Sequence, residues 1–227
     1  MMMTRIFACL LTLVIICGFS TSVHSMLIDR GRGFIYDTYL DITWLQDANY
    51  AKTSGYDPDG RMNWSDAMTW ADNLVYGRYN DWRLPTALNQ NGNGPCLGYN
   101  CTDSELGYLY YITLGNTADN TAPYGPLTNI GPFINFPYDP FTSLSFESAR
   151  LFAYWTSTRR DKISLTYAWE FPFMMGFQYP DRMSNTYYAW AVRDGNVVVP
   201  EPSTLLLLGS GLVGMIVLRK RFRRREG

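Results

Sequence analysis

The alternation of apolar and polar positions predicts a β-hairpin early in the chain. Residues 33–37 and 40–45 are rich in β-branched and aromatic side chains, which favour strands. In the second run apolar residues alternate with Asp41 and Thr43, a pattern typical of a strand with one buried face. We therefore expect an antiparallel pair with Asp41 and Thr43 turned towards solvent.

Two amphipathic helices are predicted after the hairpin. Asn63 is suited to cap a helix over residues 64–76, where apolar side chains, Val75 among them, recur at spacings of three and four. A second helix is expected to begin at residue 103 or 104 and to end before Gly115.

The second half of the chain predicts an irregular segment followed by strands. Residues 116–150 contain five prolines and show no clear period. Three strands are expected over residues 153–157, 167–173 and 187–193. The order of hairpin, two helices, irregular stretch and terminal strands indicates the α+β class.

Composition narrows the function classes. Between residues 26 and 200 acidic side chains outnumber basic ones, so we expect no nucleic-acid partner. The only histidine, His24, lies near the N-terminus. Triads that need histidine and zinc sites with histidine ligands are therefore excluded from the later part of the chain, and we expect no metal and no cofactor.

The N-terminal segment predicts export. Arg5 precedes an apolar run over residues 6–18 and then small polar residues, as in a secretory signal peptide. Cleavage after Ser25 would make residues 1–25 the signal peptide, and a cut after Ser22 is the alternative.

The C-terminal segment contains a short apolar stretch between two polar flanks. Pro200, Glu201 and Pro202 precede fifteen apolar or small residues, 204–218, and a basic cluster follows at 219–225. A helix over the apolar stretch would measure about 22 Å, shorter than the roughly 30 Å hydrocarbon layer of a bilayer. Such a helix would cross a membrane with the basic cluster on the cytoplasmic side.

This arrangement resembles the PEP-CTERM sorting signal of Gram-negative bacteria, in which a short motif, a short helix and an arginine-rich tail follow one another. The resemblance covers residues 199–225 of the terminal segment 199–227 and gives the role of sorting motif to Pro200, Glu201 and Pro202. It implies recognition by an exosortase, removal of the tail, and release to the cell surface or extracellular matrix. An ordinary single-pass membrane anchor is the alternative.

Two cysteines remain between the terminal segments. Cys96 and Cys101 bracket a loop rich in glycine and asparagine, and in an oxidising compartment such a pair predicts a disulfide. A metal-binding pair is the alternative, although thiolate zinc sites need further ligands that this region lacks.

A set of short stretches occurs in order between residues 26 and 198. They are GFIYD at 33–37, LDITWLQDANYA at 40–51, WSDA at 64–67, NDWRLPT at 80–86, SELG at 104–107, YWTST at 154–158, AW at 168–169 and AVRDG at 191–195. As a set, they make residues 26–198 resemble the Lcl C-terminal family of exported bacterial domains. That resemblance implies a C-type-lectin-like fold, with a twisted antiparallel sheet and two flanking helices. The formylglycine-generating branch of that fold uses copper-binding cysteines, which have no counterpart here, so no catalytic residue is implied.

The acidic residues offer little catalytic chemistry. The Asp57-Pro58-Asp59-Gly60 run predicts a turn, with a calcium loop as the alternative. Glu105 is expected in the first turn of the second helix. Glu170 is expected to face solvent, with a raised-pKa acid as the alternative. Arg83 and Arg193 are expected to pair with carboxylates such as Asp66 or Asp81.

Tyrosines provide the candidate ligand surface, since an apolar ring with a polar edge suits stacking on sugars. The expected function is a non-enzymatic, lectin-like binding module that contacts exopolysaccharide, a cell-surface glycan or another envelope component. The alternatives are a carboxylate-dependent glycan hydrolase and a purely structural protein of the biofilm matrix. The candidate residues are Tyr108, Tyr111, Tyr179, Tyr187 and Tyr188.

Overall fold

The computed structural model describes residues 26–118, 127, 129–137, 145–161 and 166–197. The expected signal peptide (1–25) and sorting segment (199–227) lie outside the described residues. Within the described ranges, every helix is too short or too polar to cross a bilayer.

The described residues contain two β-sheets. The strand order is β1-β2-β3-β10 in the smaller sheet and β4-β9-β6-β7-β8-β5 in the larger one, and β6 and β9 run parallel. Together with the helices below, the sheets confirm the mixed α+β class. The strands are β1 (Leu27–Gly31), β2 (Phe34–Asp37), β3 (Ile42–Leu45), β4 (Arg61–Met62), β5 (Gly98–Tyr99), β6 (Ala153–Arg159), β7 (Tyr167–Pro172), β8 (Phe177–Arg182), β9 (Tyr187–Tyr188) and β10 (Val192–Asp194).

The predicted hairpin is confirmed as the antiparallel pair β2–β3, in which Phe34 lies opposite Leu45. The expectation that Thr43 faces solvent is wrong, because Thr43 is fully buried. Its hydroxyl donates to the carbonyl oxygen of Gly195 at 2.7 Å. The segment after β10 therefore covers the face of the hairpin that the alternation predicted to be exposed to solvent.

The first predicted helix exists but is shorter than expected. The Asn63 side chain accepts a hydrogen bond from the amide of Asp66 at 3.0 Å, which confirms the cap. The helix ends early because Tyr76 and Tyr79 exchange backbone hydrogen bonds in a tight turn, which leaves Val75 69% exposed. The helices are α1 (Tyr50–Thr53), α2 (Trp64–Asp72), α3 (Glu105–Tyr108) and α4 (Phe146–Arg150).

The second predicted helix is α3, and it continues as a π-helical turn over Leu109–Thr113. Ser104 caps it by accepting from the amide of Gly107 at 3.3 Å. A Cβ at Gly107 would lie 1.8 Å from the carbonyl oxygen of Cys101, so a side chain has no room there. Close packing against the preceding loop therefore requires this glycine.

Two of the three predicted terminal strands are confirmed as β6 and β7. The third, predicted over 187–193, is divided between β9 in the larger sheet and β10 in the smaller one. This segment therefore connects the two sheets, and Trp190 is fully buried at the connection. Strands β1 and β8 and helix α4 were not predicted from the pattern.

Aromatic residues are the largest fully buried side chains of the core. Trp190 lies 5.0 Å from Trp44 and 5.3 Å from Tyr154 between ring centroids, so its side chain joins the two sheets. The main cluster of buried apolar residues in the described part runs from Phe34 to Val197. The stretch between the terminal segments therefore encloses its own hydrophobic core, and we expect it to fold as a unit.

Arg83 forms ion pairs that connect its own segment to helix α3 and to strand β10. Arg83 donates to both carboxylate oxygens of Glu105, at 2.9 and 2.7 Å, and to Asp194 at 2.6 Å. Burial alone would lower the pKa of Arg83, but these hydrogen bonds outweigh it and raise the pKa. Glu105 thus has a second role besides its position in the first helical turn.

Arg193 pairs with Asp81 at 2.7 Å, which confirms one of the expected partners. The hydrogen bond from Arg193 is the main reason that the pKa of Asp81 is lowered. The expectation for Asp66 is wrong, because its carboxylate instead accepts a hydrogen bond from the Asn63 side chain at 2.7 Å.

The disulfide between Cys96 and Cys101 is confirmed, with the two Cα atoms 5.6 Å apart. Bonded sulfurs cannot serve as thiolate ligands, so the metal-binding alternative for this pair is wrong. The described residues contain no group of three or more histidine, cysteine or acidic side chains that could hold a metal ion.

Candidate functional site

Two clefts lie at the end of the larger sheet where β4 and β9 pair. The first, which we call the Tyr188 cleft, has a volume of about 500 Å³. It combines amides, a hydroxyl group and two charged side chains with aromatic rings. Its lining residues are Asn49, Lys52, Thr53, Asp59, Asn135, Phe136, Pro137 and Tyr188.

Residues from four segments of the chain line the Tyr188 cleft. Helix α1 carries Lys52 and Thr53, and the turn before β4 carries Asp59. The predicted turn is confirmed, since the Asp57 carboxylate accepts from the amide of Asp59 at 3.1 Å and from the next amide at 2.7 Å. The irregular segment contributes Asn135, and strand β9 contributes the tyrosine ring.

The irregular segment is fixed against the start of α1 by specific contacts. The backbone amide of Ala48 donates to the carbonyl oxygen of Ile134 at 3.0 Å, and the side-chain amide of Asn135 donates to Asp47 at 2.8 Å. Asn135 itself has φ +57°, a left-handed conformation that asparagine adopts more readily than most residues. The surrounding contacts thus hold a polar side chain at the rim of the cleft.

Asn49 brings an unsatisfied acceptor to this cleft. The residue is only 6% exposed, and its side-chain nitrogen donates a long hydrogen bond of 3.5 Å to the carbonyl of Asp59. Its side-chain oxygen is buried and has no hydrogen-bond partner among the described residues. This oxygen has almost no accessible surface and lies beside Gly60, so it belongs to the wall of the cleft.

The apolar part of the Tyr188 cleft is rigid because it belongs to the edge of the core. The Phe136 ring lies 5.4 Å from Trp190 and 5.3 Å from Phe173, and the Tyr188 ring packs 6.1 Å from Tyr154. Burial raises the pKa of the Tyr188 hydroxyl, although nearby Arg61 opposes the shift. The tyrosine is therefore a neutral hydrogen-bonding group near neutral pH.

The second cleft, which we call the Asp181 cleft, has a volume of about 450 Å³. At its centre the Asp181 carboxylate accepts hydrogen bonds from Tyr187 at 2.5 Å, Arg150 at 2.8 Å and Asn185 at 3.0 Å. The lining residues are Arg61, Arg150, Leu151, Asp181, Ser184, Asn185, Thr186 and Tyr187.

Glu170 lies in β7 close to the Asp181 cleft, and the expectation that it faces solvent is wrong. It is fully buried between its cross-strand neighbours Trp155 and Tyr179. Both carboxyl oxygens lack a hydrogen-bond partner among the described residues. Burial raises the pKa of Glu170 well above its ordinary value, only partly opposed by the charge of Arg150.

The sequence pattern missed this burial for a simple reason. Glu170 does alternate with Phe171, which faces the main core, so its assignment to the opposite face is right. That opposite face is covered by Trp155 and by the side chains around Asp181, which come from parts of the chain whose position the local pattern does not reveal.

The candidate tyrosines divide between different environments. The expectation of exposure is wrong for Tyr108, Tyr187 and Tyr188. Their rings pack against neighbouring side chains, and at most 7% of each residue is exposed to solvent. Tyr111 is half-buried, and its hydroxyl donates to a backbone carbonyl, whereas Tyr179 is 38% exposed.

Only some of the candidate tyrosines reach a cleft. Tyr187 and Tyr188 line the two clefts described above, and the Arg150 guanidinium lies 5.3 Å over the Tyr179 ring. Tyr108 stacks on exposed Tyr39, 4.4 Å away and outside both clefts. The structure thus brings Tyr179 and Tyr187 into one region and separates them from Tyr108. A ligand-binding role for any of them stays a prediction.

Comparisons with known proteins identify two segments of the chain. The PEP-CTERM protein-sorting motif matches residues 198–225 and implies export, membrane-anchored sorting in Gram-negative bacteria and recognition by an exosortase. The chain is therefore a secreted, exosortase-sorted surface protein. The family model of the Lcl C-terminal domain matches residues 33–193, and the chain belongs to that family. A search of curated proteins finds no match.

Proposed function

We propose that the exported domain is a non-enzymatic, C-type-lectin-like binding module that contacts polysaccharide through the Tyr188 cleft. The composition of that cleft carries the proposal. Two amide side chains and a carboxylate, Asn49, Asn135 and Asp59, converge there beside the rings of Phe136 and Tyr188. Sugars present both hydroxyl groups and apolar C–H faces, which this combination of groups complements.

The size of the cleft supports a small segment of a polymer as the ligand. A volume of about 500 Å³ lies within the range of roughly 300–1,000 Å³ that small-molecule sites occupy. The rigid aromatic side means that little conformational entropy is lost when a sugar ring packs against it. The exposed side chains of Asp59 and Asn135 offer oxygen acceptors for sugar hydroxyls.

A lectin-like fold is the structural part of the proposal. The described residues contain an antiparallel-dominated larger sheet, and α2 and α3 are the helices that correspond in order to the two expected flanking helices. Membership of the Lcl C-terminal family supports the same assignment. Secretion to the cell surface supports polysaccharide as the ligand, because exported polymers surround the protein there.

A glycan array probed with the full-length chain in detergent tests the proposal. Asn135→Gly removes one amide from the Tyr188 cleft, together with its hydrogen bond to Asp47, and suits the left-handed backbone; an unchanged thermal midpoint checks that folding is preserved. Asn100→Gly is the matched control, since Asn100 is also left-handed, at φ +58°, and lies outside both clefts.

We expect Asn135→Gly to weaken binding roughly tenfold, the effect of losing about 1.4 kcal/mol, and Asn100→Gly to bind as wild type. Equal loss in both variants, or none in either, would contradict the Tyr188 cleft as the site. No array signal for the wild type would instead favour a purely structural role in the matrix.

A glycan hydrolase is the second candidate function, and the carboxyl pair near the Asp181 cleft is the observation that favours it. Burial raises the pKa of Glu170 well above its ordinary value, and neighbouring Asp181 accepts three side-chain hydrogen bonds; glycosidases use two carboxyl groups placed in such different environments. Polysaccharide cleavage by wild type that Glu170→Gln abolishes would establish this function in place of the binding module.

A further inference from the structure

The two clefts share strand β9 but lie on opposite faces of the larger sheet. Consecutive residues of a strand point to opposite faces, and Tyr187 and Tyr188 follow this rule. The Tyr187 ring packs 4.9 Å from Trp155, whereas Tyr188 packs 6.1 Å from Tyr154. One short strand therefore supplies an aromatic ring to each cleft.

Arg61 on edge strand β4 provides a second polar link between the clefts. Its guanidinium lies 5.9 Å from the Tyr188 ring centroid and also lines the Asp181 cleft, where it donates to the carbonyl oxygen of Thr186 at 2.8 Å. Among the described residues Arg61 has no ion-pair partner, and its buried Nε has no acceptor. Because the Nε is buried, a ligand oxygen would approach the terminal nitrogens of this guanidinium, which line the Asp181 cleft.

The rest of the Asp181 cleft is already arranged for a polar ligand. Asp181 is fixed by Tyr187, Arg150 and Asn185, so its carboxylate has one orientation before any ligand arrives. The exposed side chains of Ser184 and Thr186 add hydroxyl groups at the rim. Fixed donors and acceptors beside a tyrosine ring are the same chemical features that the Tyr188 cleft has.

We propose that the Asp181 cleft is a second saccharide-binding site, and that one domain uses the two clefts to bridge two polysaccharide chains. This inference rests on the proposed function of the Tyr188 cleft and extends it. A polymer that passes along one face of the sheet cannot also fill a cleft on the opposite face without wrapping around the edge strand. Two separate chains fill the clefts directly, which gives an exported protein a way to cross-link its matrix.

The test uses the full-length chain in detergent and matrix polysaccharide purified from the producing cells, in two size classes. Titration calorimetry with short fragments counts the binding sites, and light scattering with long chains detects bridging. Thr186→Trp fills the Asp181 cleft from an exposed position, and Ser65→Trp places the same ring on the exposed side of α2 as a control.

We expect two sites per wild-type chain, one site in Thr186→Trp, and in Asn135→Gly one unchanged site beside one that binds about tenfold more weakly. Long chains should cluster with wild type and Ser65→Trp only, with at least a tenfold loss of scattering in the two cleft variants. Asn185→Ala, which removes a donor from Asp181 without adding bulk, should weaken the second site if Thr186→Trp fails to fold.

The outcomes separate the two proposals. One site in the wild type, unaffected by Thr186→Trp, would overturn the bridging inference and leave the Tyr188 cleft as the binding site. Clustering that survives in Thr186→Trp would likewise overturn it, because bridging would then come from association of domains. Absence of binding in the wild type would remove the proposed function and the inference together.

Discussion

Replacement of Glu170 by glutamine tests the most unusual feature of the larger sheet. The carboxyl group is fully buried, and neither oxygen has a hydrogen-bond partner among the described residues. An ionised carboxylate in such a place is strongly disfavoured, so burial raises its pKa well above the ordinary value. Glutamine has nearly the same shape and cannot ionise.

The sign of the pH effect follows from this shift. The unfolded chain ionises Glu170 near the ordinary pKa of a glutamate, whereas the folded chain keeps the proton to higher pH. Between these two pKa values the folded state holds more protons, so the free energy of unfolding falls as pH rises, by up to about 1.4 kcal/mol per pH unit. The contribution is fully present below the unfolded pKa and is lost as pH rises through the folded pKa.

Urea unfolding of residues 26–197, followed by tryptophan fluorescence from about pH 5 to about pH 8, measures this slope. Glu170→Gln should lose the part of the slope that one proton contributes. Burial also raises the pKa of Asp37, so Asp37→Asn is the control that removes the other contribution of the same sign. Identical pH profiles for wild type and Glu170→Gln would refute a neutral Glu170.

Three further substitutions test the fold. Arg83→Ala should cost about 3 kcal/mol in urea unfolding, because it leaves a buried carboxylate on α3 unpaired, whereas Asp81→Ala, at a 53% exposed side chain, should cost at most about 1 kcal/mol. Replacing Cys96 and Cys101 by alanine should cost about 2 kcal/mol through loop-closure entropy. Gly107→Ala should lower the thermal midpoint by more than about 5 °C, since its Cβ would collide with a backbone carbonyl.

Each of these expectations has a contrary result. Equal costs for Arg83→Ala and Asp81→Ala would show that burial does not set the strength of the two ion pairs. Unchanged stability without the disulfide would mean that the loop is ordered by its other contacts. A Gly107→Ala protein with wild-type stability would show that α3 can move away from the disulfide loop.

Local sequence patterns predicted the features that depend only on residues close together in the chain. The cap at Asn63 was predicted correctly because a side-chain acceptor and the amide three residues later are both local. The disulfide followed from compartment and spacing. Strand β8 was missed because Pro180 interrupts its pattern, although it pairs in register with β7 opposite Trp169.

The candidate site depended on long-range packing that no local pattern encodes. Asn49 and Asn135 meet only because the irregular segment bonds to the start of α1. Glu170 became buried through residues from α4 and β8 that lie near it only in the folded chain. Neither two asparagines in separate loops nor a single glutamate in a strand indicates, from the sequence alone, which side chains will lie next to it in the folded chain.

Binding of native matrix polysaccharide is the measurement that tests the central claim most directly. Full-length wild type, Asn135→Gly and Asn100→Gly would be titrated with polymer purified from the producing cells. We expect wild type and Asn100→Gly to bind alike and Asn135→Gly to bind roughly tenfold more weakly. Equal affinity in all three, or no affinity in any, would contradict recognition of polysaccharide by the Tyr188 cleft.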